Sequence, residues 1–403
     1  MDIPDKAHSL LQLIRTYYLF SFFQDFALVY PVYAIFFQER GLDYARISAL
    51  LAIWSTAVLL AEIPSGILAD RWSRKWVLFV GMLFKASGFL VWLVRPDFAG
   101  FAAGFTLWGV QEALCSGTTE AFLYDALKQH TASDRFVRIT GRGGAIARVG
   151  IVLSLLLGAL VYSRSATAVL VASAVSMAGA GGLVTMFPDV RSGHRPGAPS
   201  TPLVQHLRTA VRVPGLASLV LFGSLATVVY GVLDEYDPLL ARHVGVPVAL
   251  IGIWGTVRFA AEALGAGFAA TISSTFRLDS PRRLAVWLCT GSVALFLSVF
   301  HLRAATLPLY FLYYLIMASA EVRMQGWIHD RIASEGRATI GSVVSFVYEA
   351  LGILLLLAAI PVAAGHGLSA VFLGGSLVSG CAAIALFAGT TRRSTATGPD
   401  SAL

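Results

Sequence analysis

The chain of 403 residues is 57% hydrophobic and only 13% charged, with a mean hydropathy of +0.72. Soluble domains carry about 25% charged residues, so this composition excludes an ordinary soluble protein. A helix needs about 20 apolar residues to cross a bilayer, and the chain has room for about twelve such spans with short loops. The net charge of +7 does not indicate nucleic-acid binding, because the sequence has no soluble domain to present a basic face.

Hydropathy predicts an all-α polytopic membrane protein with twelve transmembrane helices. The predicted spans cover about residues 16–38, 46–69, 76–95, 99–124, 143–163, 166–187, 215–240, 247–272, 284–302, 304–328, 340–364 and 367–390. They predict an N-terminal six-helix bundle over 1–187, a cytoplasmic linker over 188–213, a C-terminal six-helix bundle over 214–391 and a disordered cytoplasmic tail over 392–403. In the linker, Leu203, Leu207 and Val211 recur at the spacing of a short amphipathic surface helix.

Lysine and arginine positions predict the orientation. One set of loops and termini holds twenty of the 30 basic residues, the other set holds six, and four lie inside spans. Since basic loops stay in the cytoplasm, both termini are predicted to be cytoplasmic. The acidic N-terminus lacks a small-residue cleavage site, so the first span is expected to be retained. The preference for arginine over lysine suggests a bacterial source, and hence the inner (plasma) membrane.

The sequence offers little for catalysis. Cys115, Cys289 and Cys381 lie inside apolar runs and form neither a disulfide framework nor a metal pattern. The 8 histidines are scattered over loops and span ends. Neither G-x-S-x-G nor the phosphate-binding G-x-x-x-x-G-K-[ST] occurs. We therefore expect no enzyme, no cofactor, no metal and no ATP-driven pump.

The most informative stretch joins the second and third predicted spans and reads E-I-P-S-G-I-L-A-D-R-W-S-R-K-W-V-L, from Glu62 to Leu78. It resembles the signature of the major facilitator superfamily, G-x-L-x-D-R-x-G-R-K-x-x-L, with Ser73 in place of the second glycine. The matching residues are Gly66, Leu68, Asp70, Arg71, Arg74, Lys75 and Leu78. Two further stretches, S-G-T-T-E-A-F-L-Y-D-A-L-K and W-I-H-D-R-I-A-S-E-G-R-A-T-I-G-S, resemble segments of a branch whose second helix ends in E-x-P-x-G. The resemblance implies two six-helix bundles and transport by alternating access.

In that family, the turn after the second helix acts as a cytoplasmic latch that holds the outward-open state closed. The residues to which the resemblance carries this role are Gly66, Asp70, Arg71, Arg74, Lys75 and, at the end of helix 4, Asp125. Gly66 is expected to let the helix end close against a neighbour, and Asp70 is expected near the start of helix 11. Asp125 can pair with Arg71 or Arg74. The alternative is a static topology anchor.

Helices 1, 4, 7 and 10 line a central cavity in this family. The residues on those helices that are expected to face the cavity are Gln24, Asp25, Gln111, Glu112, Tyr230, Asp234, Asp237, Tyr310, Tyr314, Met317 and Glu321. Such a cavity suits an amphiphilic or cationic organic solute. Alternatives remain open: the stripe from Tyr310 to Met317 can be helix packing, Asp25 and Glu112 can form structural ion pairs, and Asp234 can belong to an outer vestibule.

Four cations also fall inside predicted spans: Lys85, Arg148, Arg258 and Arg323. An ionised side chain at the bilayer centre costs about 2.5–3.5 kcal/mol on insertion scales, so each needs a partner, a wet cavity or a function. Glu262 lies one turn after Arg258 and predicts an intrahelical pair. Lys85 or Arg148 opposite Glu112 is a candidate proton-relay pair.

These features predict a secondary transporter that acts as a monomer in the lipid bilayer and binds a small-molecule substrate. Protons are the simplest coupling ion, with Asp25, Glu112 and Glu321 as candidate carriers. Export of small organic compounds such as antibiotics is the first hypothesis. Trp108 stands where proton-linked drug exporters have an arginine, and the G-P-x-x-G-G motif of their fifth helix is absent. A nutrient or metabolite importer of the same fold is therefore the alternative.

Overall fold

The computed structural model describes residues 3–189, 216–300, 306–330 and 337–396, and its regular elements there are helices. The first eight are α1 (Ile3–Phe23), α2 (Tyr33–Glu39), α3 (Tyr44–Arg71), α4 (Arg74–Val94), α5 (Phe98–Cys115), α6 (Thr118–Gln129), α7 (Phe136–Tyr162) and α8 (Ala166–Thr185). The rest of the chain adds α9 (Ser224–Leu233), α10 (Asp237–His243), α11 (Ile251–Gly267), α12 (Ala269–Thr275), α13 (Pro281–Phe300), α14 (Leu307–Asp330) and α15 (Arg337–Ala396).

The described residues form two compact units. The N-terminal unit takes its residues from Met1–Ala198 together with Gly245–Thr256, and the C-terminal unit takes its residues from Pro199–Val244 and Val257–Leu403. Within the first unit α4 packs against α5 and α8, and α3 packs against α5. Within the second, α13 packs against α14 and α15, and α9 packs against α15. The predicted linker helix at Leu203, Leu207 and Val211 lies outside the described residues.

Eight helical stretches in the described part of the chain are long and apolar enough to cross a membrane. They are Tyr44–Ala69, Arg74–Val94, Ser133–Tyr162, Ala166–Thr185, Leu219–His243, Val248–Gly267, Pro281–Phe300 and Val344–Ala388. The last contains Gly367, whose φ of 77° breaks the helix where the sequence predicts a boundary between two spans. Helices α1, α5 and α14 are not among the eight. These three carry or adjoin many of the polar residues that the sequence assigns to a cavity.

The first predicted span is not one helix, which corrects the prediction of a continuous span over 16–38. Helix α1 ends at Phe23, turns follow, and α2 begins at Tyr33. Pro31 has no N–H and its ring would clash with a helical carbonyl one turn earlier. Serines of α8 satisfy the freed backbone: Ser173 Oγ accepts from the N–H of Val29 at 3.0 Å, and Ser176 Oγ donates to the carbonyl of Phe23 at 3.3 Å. Neighbouring helices thus make the break tolerable inside a membrane.

The fourth predicted span, over 99–124, is also divided. Helix α5 ends at Cys115 and α6 begins at Thr118, and Gly117 between them has φ +65°. That left-handed conformation is readily available only to glycine. The break leaves Ser116 exposed at the end of α5. The seventh predicted span is helical over its described residues, which begin at Leu216, but a π-helix at Leu219–Gly223 and a 3-10 turn at Asp234–Tyr236 interrupt its α geometry.

Helices α4 and α5 approach each other at two glycines. A Cβ atom at Gly88 would lie 2.8 Å from the carbonyl oxygen of Gly104. A Cβ atom at Gly104 would lie 2.1 Å from Nε1 of Trp92, a fully buried indole that donates to the carbonyl of Phe101 at 3.1 Å. Small residues let membrane helices pack backbone to backbone. This contact sets the position of α5 and therefore of the polar residues at its end.

We expect Gly104→Ala to lower the thermal stability of the protein in detergent, because the added methyl group displaces Trp92 from its hydrogen bond. Overpacking of this kind costs about 1–3 kcal/mol. Gly179→Ala in α8 is the matched control, since a Cβ atom there meets no described atom within 4 Å. Melting followed by fluorescence-detected size-exclusion chromatography compares the two variants. Equal melting temperatures would contradict the proposed role of the α4–α5 contact.

Candidate functional site

A polar cavity of about 400 Å³ lies within the N-terminal unit. It is bounded by the break after α1, by α3 and α4, and by the end of α5. The residues that line it are Gln24, Asp25, Tyr30, Trp54, Lys85, Trp108, Gln111, Glu112, Cys115 and Ser116. The structure therefore brings together four residues predicted from the sequence, Gln24, Asp25, Gln111 and Glu112, with a cation and a wall of aromatic rings.

Lys85 on α4 is the buried cation of this cavity, with only 5% of its surface exposed. Its ammonium group donates to the hydroxyl of Tyr30 at 2.7 Å. It also lies 4.8 Å from the ring centroid of Trp108 and 5.2 Å from that of Tyr30. The faces of aromatic rings attract cations, and more strongly where water is excluded. Tyr30 and Trp108 thus offset part of the cost of burying this charge.

Two carboxylates share the cavity with Lys85. Asp25 is half-buried and lies in the turn after α1, whereas Glu112 is exposed near the end of α5. Two acids and one ammonium give the ionised cavity a net charge of −1. Arg148, the other cation that the sequence proposed opposite Glu112, does not line this cavity. Lys85 is therefore the basic residue that the structure brings to these acids.

The cavity also contains two polar atoms that have no hydrogen-bond partner among the described residues: the indole Nε1 of Trp54 and the amide Oε1 of Gln111. Gln111 is only 6% exposed. Next to the cavity, Ser116 Oγ donates to a carboxylate oxygen of Glu62 at 3.3 Å, so the glutamate of E-x-P-x-G reaches the break between α5 and α6. A second cavity of about 330 Å³ adjoins the first and shares Gln24, Cys115 and Ser116 with it.

Sequence reasoning missed five of the residues that line this cavity: Tyr30, Trp54, Trp108, Cys115 and Ser116. A signal existed for Trp108, which precedes Gln111 and Glu112 by one helical turn and therefore shares their face of α5. Pro31 signals the irregular segment that carries Tyr30. Trp54 has no such local signal, because only the packing of α3 against α5 brings it to the cavity.

In the C-terminal unit, Arg258 of α11 is the centre of an ion-pair cluster. It pairs with Glu262 at 2.9 Å, with Asp237 at 2.8 Å and with Asp234 at 3.4 Å. The predicted intrahelical pair with Glu262 is confirmed, and the two aspartates are additional partners. Asp237, only 4% exposed, also accepts from the hydroxyl of Tyr310. The ring of Tyr314 lies 5.2 Å from the guanidinium carbon.

The other residues predicted to face a C-terminal cavity are packed inside this unit. Tyr310, Tyr314 and Met317 are buried, and the two tyrosine hydroxyls are 3.1 Å apart. A Cβ atom at Gly291 would lie 2.7 Å from Cε of Met317, so Met317 fills the space between α13 and α14. Their positions favour the packing interpretation of the helix-10 stripe. The hydroxyl of Tyr230 donates to Glu321, which also accepts from Gln325 at 3.3 Å.

The turn between α3 and α4 is tied to its own unit. Arg74 pairs with Asp125 on α6 and donates to the carbonyl of Ala121 at 3.2 Å. Lys75 Nζ donates to the carbonyl of Phe187 at 2.7 Å, beyond the end of α8. Of the two partners considered for Asp125, the structure pairs it with Arg74, and Arg71 is exposed.

Two expectations about this turn have different outcomes. A Cβ atom at Gly66 would meet no described atom within 4 Å, so the expected close approach to a neighbouring helix is absent among the described residues. The physical reason is that Gly66 lies on an exposed face of α3, beside the exposed Leu68. The side chain of Asp70 lies outside the described part of the structure, and so does the contact predicted for it.

Arg323, another of the cations that fall inside predicted spans, has two contacts. Its Nε donates to the carbonyl of Leu278 at 3.0 Å, and its guanidinium lies 5.0 Å from the ring of Trp327. In the ranges that the structure describes, no three His, Cys, Asp or Glu side chains come together in a way that could hold a metal ion.

These features define a multi-pass helical membrane protein with ionisable side chains inside its helical units. The sequence profile of the Major Facilitator Superfamily matches residues 17–355. The chain therefore belongs to the Major Facilitator Superfamily, a family of membrane transporters. It is similar to YxaM of Bacillus subtilis (strain 168), an uncharacterized MFS-type transporter, with 26% identity over 112 residues. That match spans 27% of each protein, so it covers about a quarter of the curated relative.

Solved structures with the same fold cover nearly the whole chain. The nucleoside transporter NupG has a TM-score of 0.71 and 16% identity, over 94% of this chain and 98% of that protein. A bacterial homologue of the human lysosomal transporter Spinster, inward-facing and occupied, has a TM-score of 0.72 and 16% identity, over 97% and 98%. A D-xylose-proton symporter has a TM-score of 0.63 and 14% identity, over 94% and 96%. At these identities the likeness shows the fold alone.

We expect Arg258→Gln to destabilise the protein strongly, because it leaves three carboxylates without their shared cation. Breaking a buried ion pair from one side typically costs about 3–5 kcal/mol. Arg95→Gln is the matched control: its pair with Asp97 is exposed, at 65% and 55% of the two side-chain surfaces, and should contribute less than about 1 kcal/mol. Melting temperatures in detergent measure both effects. A loss for Arg258→Gln no larger than that for Arg95→Gln would contradict the structural role of the cluster.

Proposed function

We propose that this protein is a secondary active transporter with twelve transmembrane helices in two six-helix bundles, and that it exports small organic compounds by proton-coupled alternating access. The observation that carries the proposal is the N-terminal cavity, which is lined by Asp25, Glu112 and the buried cation Lys85. A transporter needs a polar cavity inside an apolar shell, and ionisable groups within membrane spans are retained chiefly for function.

The charge balance of this cavity supports coupling to protons. Asp25 and Glu112 both line this cavity, and either carboxylate can take up a proton or face a substrate cation. Occupation by one opposes occupation by the other, as antiport requires. Glu321 remains a third candidate, although its hydrogen bonds with Tyr230 and Gln325 also support a structural role.

The N-terminal cavity supports a substrate site formed by Gln24, Gln111 and the aromatic rings around Lys85. The C-terminal candidates carry less support, because Tyr310, Tyr314 and Met317 are buried and Asp234 pairs with Arg258. Tyr230 is also largely buried. We propose these five as substrate-cavity residues only for a conformation in which the C-terminal unit opens toward water.

The second candidate function is import of a nutrient or metabolite. The solved relatives with this fold include a nucleoside transporter and a D-xylose-proton symporter. The symporter's name supports proton coupling, and neither name favours export over import. Trp108, which replaces the arginine of drug exporters, belongs to the aromatic wall around Lys85, so the N-terminal cavity does not follow the exporter pattern.

For either direction of transport we propose a monomer in the bacterial inner membrane with both termini in the cytoplasm.

We also propose that the turn after α3 is a conformational latch formed by Gly66, Asp70, Arg71, Arg74, Lys75 and Asp125. The Arg74–Asp125 pair and the Lys75–Phe187 hydrogen bond support a rigid turn that holds Asp70 in a defined position. Because both contacts lie within the N-terminal unit, they equally suit the static topology anchor. The role of Asp70 itself separates the two interpretations.

A transport assay in inverted membrane vesicles tests the main proposal. It measures uptake under an imposed pH gradient over a panel of organic cations and neutral compounds. We expect gradient-driven accumulation of at least one compound, and we expect Asp25→Asn and Glu112→Gln to abolish it while leaving exchange partly intact. The exposed loop variant Asp134→Asn is the matched control. If both cavity variants still drive uphill transport, the coupling assignment is wrong. Accumulation only in right-side-out vesicles would identify an importer.

Asp70→Asn tests the latch. We expect slower turnover and faster cytoplasmic labelling of Cys115, because a weaker latch opens the inner side of the cavity that this thiol lines. The background carries Cys289→Ser and Cys381→Ser, so Cys115 is the single reporter for a membrane-impermeant maleimide. Asp134→Asn again serves as the control. Normal turnover with unchanged labelling would leave the static anchor as the correct interpretation.

A further inference from the structure

A cavity of about 530 Å³ lies in the C-terminal unit, between α12, α14 and the turn that follows α12. The charged side chains that line it are Arg277, Asp279 and Arg323. The turn joins the candidate spans Val248–Gly267 and Pro281–Phe300, so this cavity lies at a membrane boundary. The orientation predicted from the basic residues assigns that boundary to the cytoplasmic side.

The backbone does not favour an arginine at position 277. Arg277 has φ +52°, its N–H donates to the carbonyl of Ser274 at 3.4 Å, and the N–H of Leu278 donates to the carbonyl of Ser273 at 2.8 Å. These two hydrogen bonds form a Schellman motif at the end of α12, and its left-handed position is usually a glycine because glycine has no Cβ atom. Arg277 is nevertheless an exposed arginine that lines the cavity. Its side chain, and not its backbone, therefore indicates what the position is used for.

Arg323 on α14 is held beside this turn. Its Nε donates to the carbonyl of Leu278 at 3.0 Å, one residue after Arg277, and its guanidinium carbon lies 5.0 Å from the ring centroid of Trp327. The two terminal nitrogens of Arg323 have no hydrogen-bond or ion-pair partner among the described residues. A guanidinium has five N–H donors, so four of them stay available in a group whose position is already fixed.

The acidic and acceptor groups of the turn already have donors. Asp279 pairs with Arg283 at 2.7 Å, and Arg283 also donates to the carbonyl of Arg277 at 3.2 Å. The carbonyl of Leu278 accepts from Arg323. With Asp279 paired, the side chains of Arg277 and Arg323 give the cavity two positive charges. Arginine matches the geometry of a phosphate group with two parallel hydrogen bonds, so this cavity suits a phosphate-bearing anion.

Apolar side chains beside the arginines indicate what carries the phosphate. Val322 lines the cavity and is 41% exposed, and Phe268 and Phe276, which flank α12, are 55% and 53% exposed. A free inorganic anion makes no use of such side chains, whereas the acyl chain of a lipid packs against them. Anionic lipids also concentrate at basic segments next to the cytoplasmic ends of membrane helices.

We propose that this cavity binds an anionic phospholipid, with its phosphate between Arg277 and Arg323 and an acyl chain against the apolar side chains of α12 and α14. The proposal goes beyond the transport function and does not rest on it. Because the bound phosphate links the turn after α12 to α14, the lipid stabilises the folded C-terminal unit.

Two short-chain lipids test the site. Native mass spectrometry of the delipidated, full-length protein in detergent measures the binding of dioctanoyl phosphatidylglycerol and dioctanoyl phosphatidylcholine, which share their chains and phosphate but differ in net charge. We expect phosphatidylglycerol to bind about tenfold more tightly and to raise the melting temperature more. Inorganic phosphate at the same concentration is the probe for a free anion, and we expect it to leave the melting temperature unchanged.

Arginine variants locate the binding. Arg277→Gln and Arg323→Gln should each weaken phosphatidylglycerol binding about tenfold, to the level of phosphatidylcholine, because each removes a charged donor. Arg282→Gln is the matched control: it removes the same charge from an exposed position at the start of α13 that does not line the cavity. Its affinity should change less than about twofold, since an exposed charge outside the site is screened.

Arg277→Gly separates binding from folding. It should lose as much affinity as Arg277→Gln, while the melting temperature of the lipid-free protein is no lower than that of the wild type, because glycine suits φ +52°. Unchanged affinity in this variant would contradict the assignment of Arg277.

Three other results would overturn the proposal. Equal affinities of the wild type for the two lipids would show that net charge is not recognised. An equal loss in Arg282→Gln and Arg277→Gln would show diffuse attraction to a basic turn instead of a site. Stabilisation by inorganic phosphate without a preference between the lipids would assign the arginines to a free anion. Since no measurement uses a pH gradient or a transported compound, these results are independent of the transport assay.

Discussion

The ammonium of Lys85 lies inside a helical unit that sits in a membrane, and compensating this charge is the constraint on which the N-terminal site depends. A bare charge at this depth costs about 2.5–3.5 kcal/mol on insertion scales. Tyr30 reaches Lys85 because the chain between α1 and α2 is not helical, and serines of α8 satisfy the backbone that the break exposes. The break after α1, the aromatic rings and the two acids therefore all surround Lys85. Together they form the polar cavity.

The C-terminal unit meets the same constraint differently. The charge of Arg258 is compensated by three carboxylates, whereas that of Lys85 is compensated by aromatic rings and a phenol. The backbone again departs from ideal α geometry where it brings two of these carboxylates to Arg258. Asp234 and Asp237 are three residues apart across a 3-10 turn, where residues at that spacing lie one above the other. Both can then contact one guanidinium. Arg258 and Asp237 of this cluster are buried, whereas Asp234 and Glu262 keep 28% and 30% of their side-chain surfaces exposed.

The two units thus supply different properties to a transporter. The N-terminal unit offers a polar cavity that is lined by Asp25, Glu112 and Lys85 together with aromatic rings. The C-terminal unit offers a rigid charged core in which each carboxylate of the Arg258 cluster already has a cation. The turn after α3 contacts its own unit through the Arg74–Asp125 pair and the Lys75–Phe187 hydrogen bond.

The sequence by itself determined the membrane class, the family resemblance, most helix positions and the polar residues Asp25, Gln111 and Glu112, because hydropathy, helical spacing and motif residues are local properties. The Arg258–Glu262 pair was equally predictable, since one turn of one helix separates them. Tertiary structure alone decided that Met317 and the tyrosines near it are packed, that Lys85 and not Arg148 lines the cavity, and that Trp54 lies there with the acids. Those outcomes depend on contacts between helices far apart in the chain. Inside a membrane, the residues around a side chain in the sequence do not show whether it faces a cavity or a neighbouring helix. Only the packing of the helices decides between these two environments.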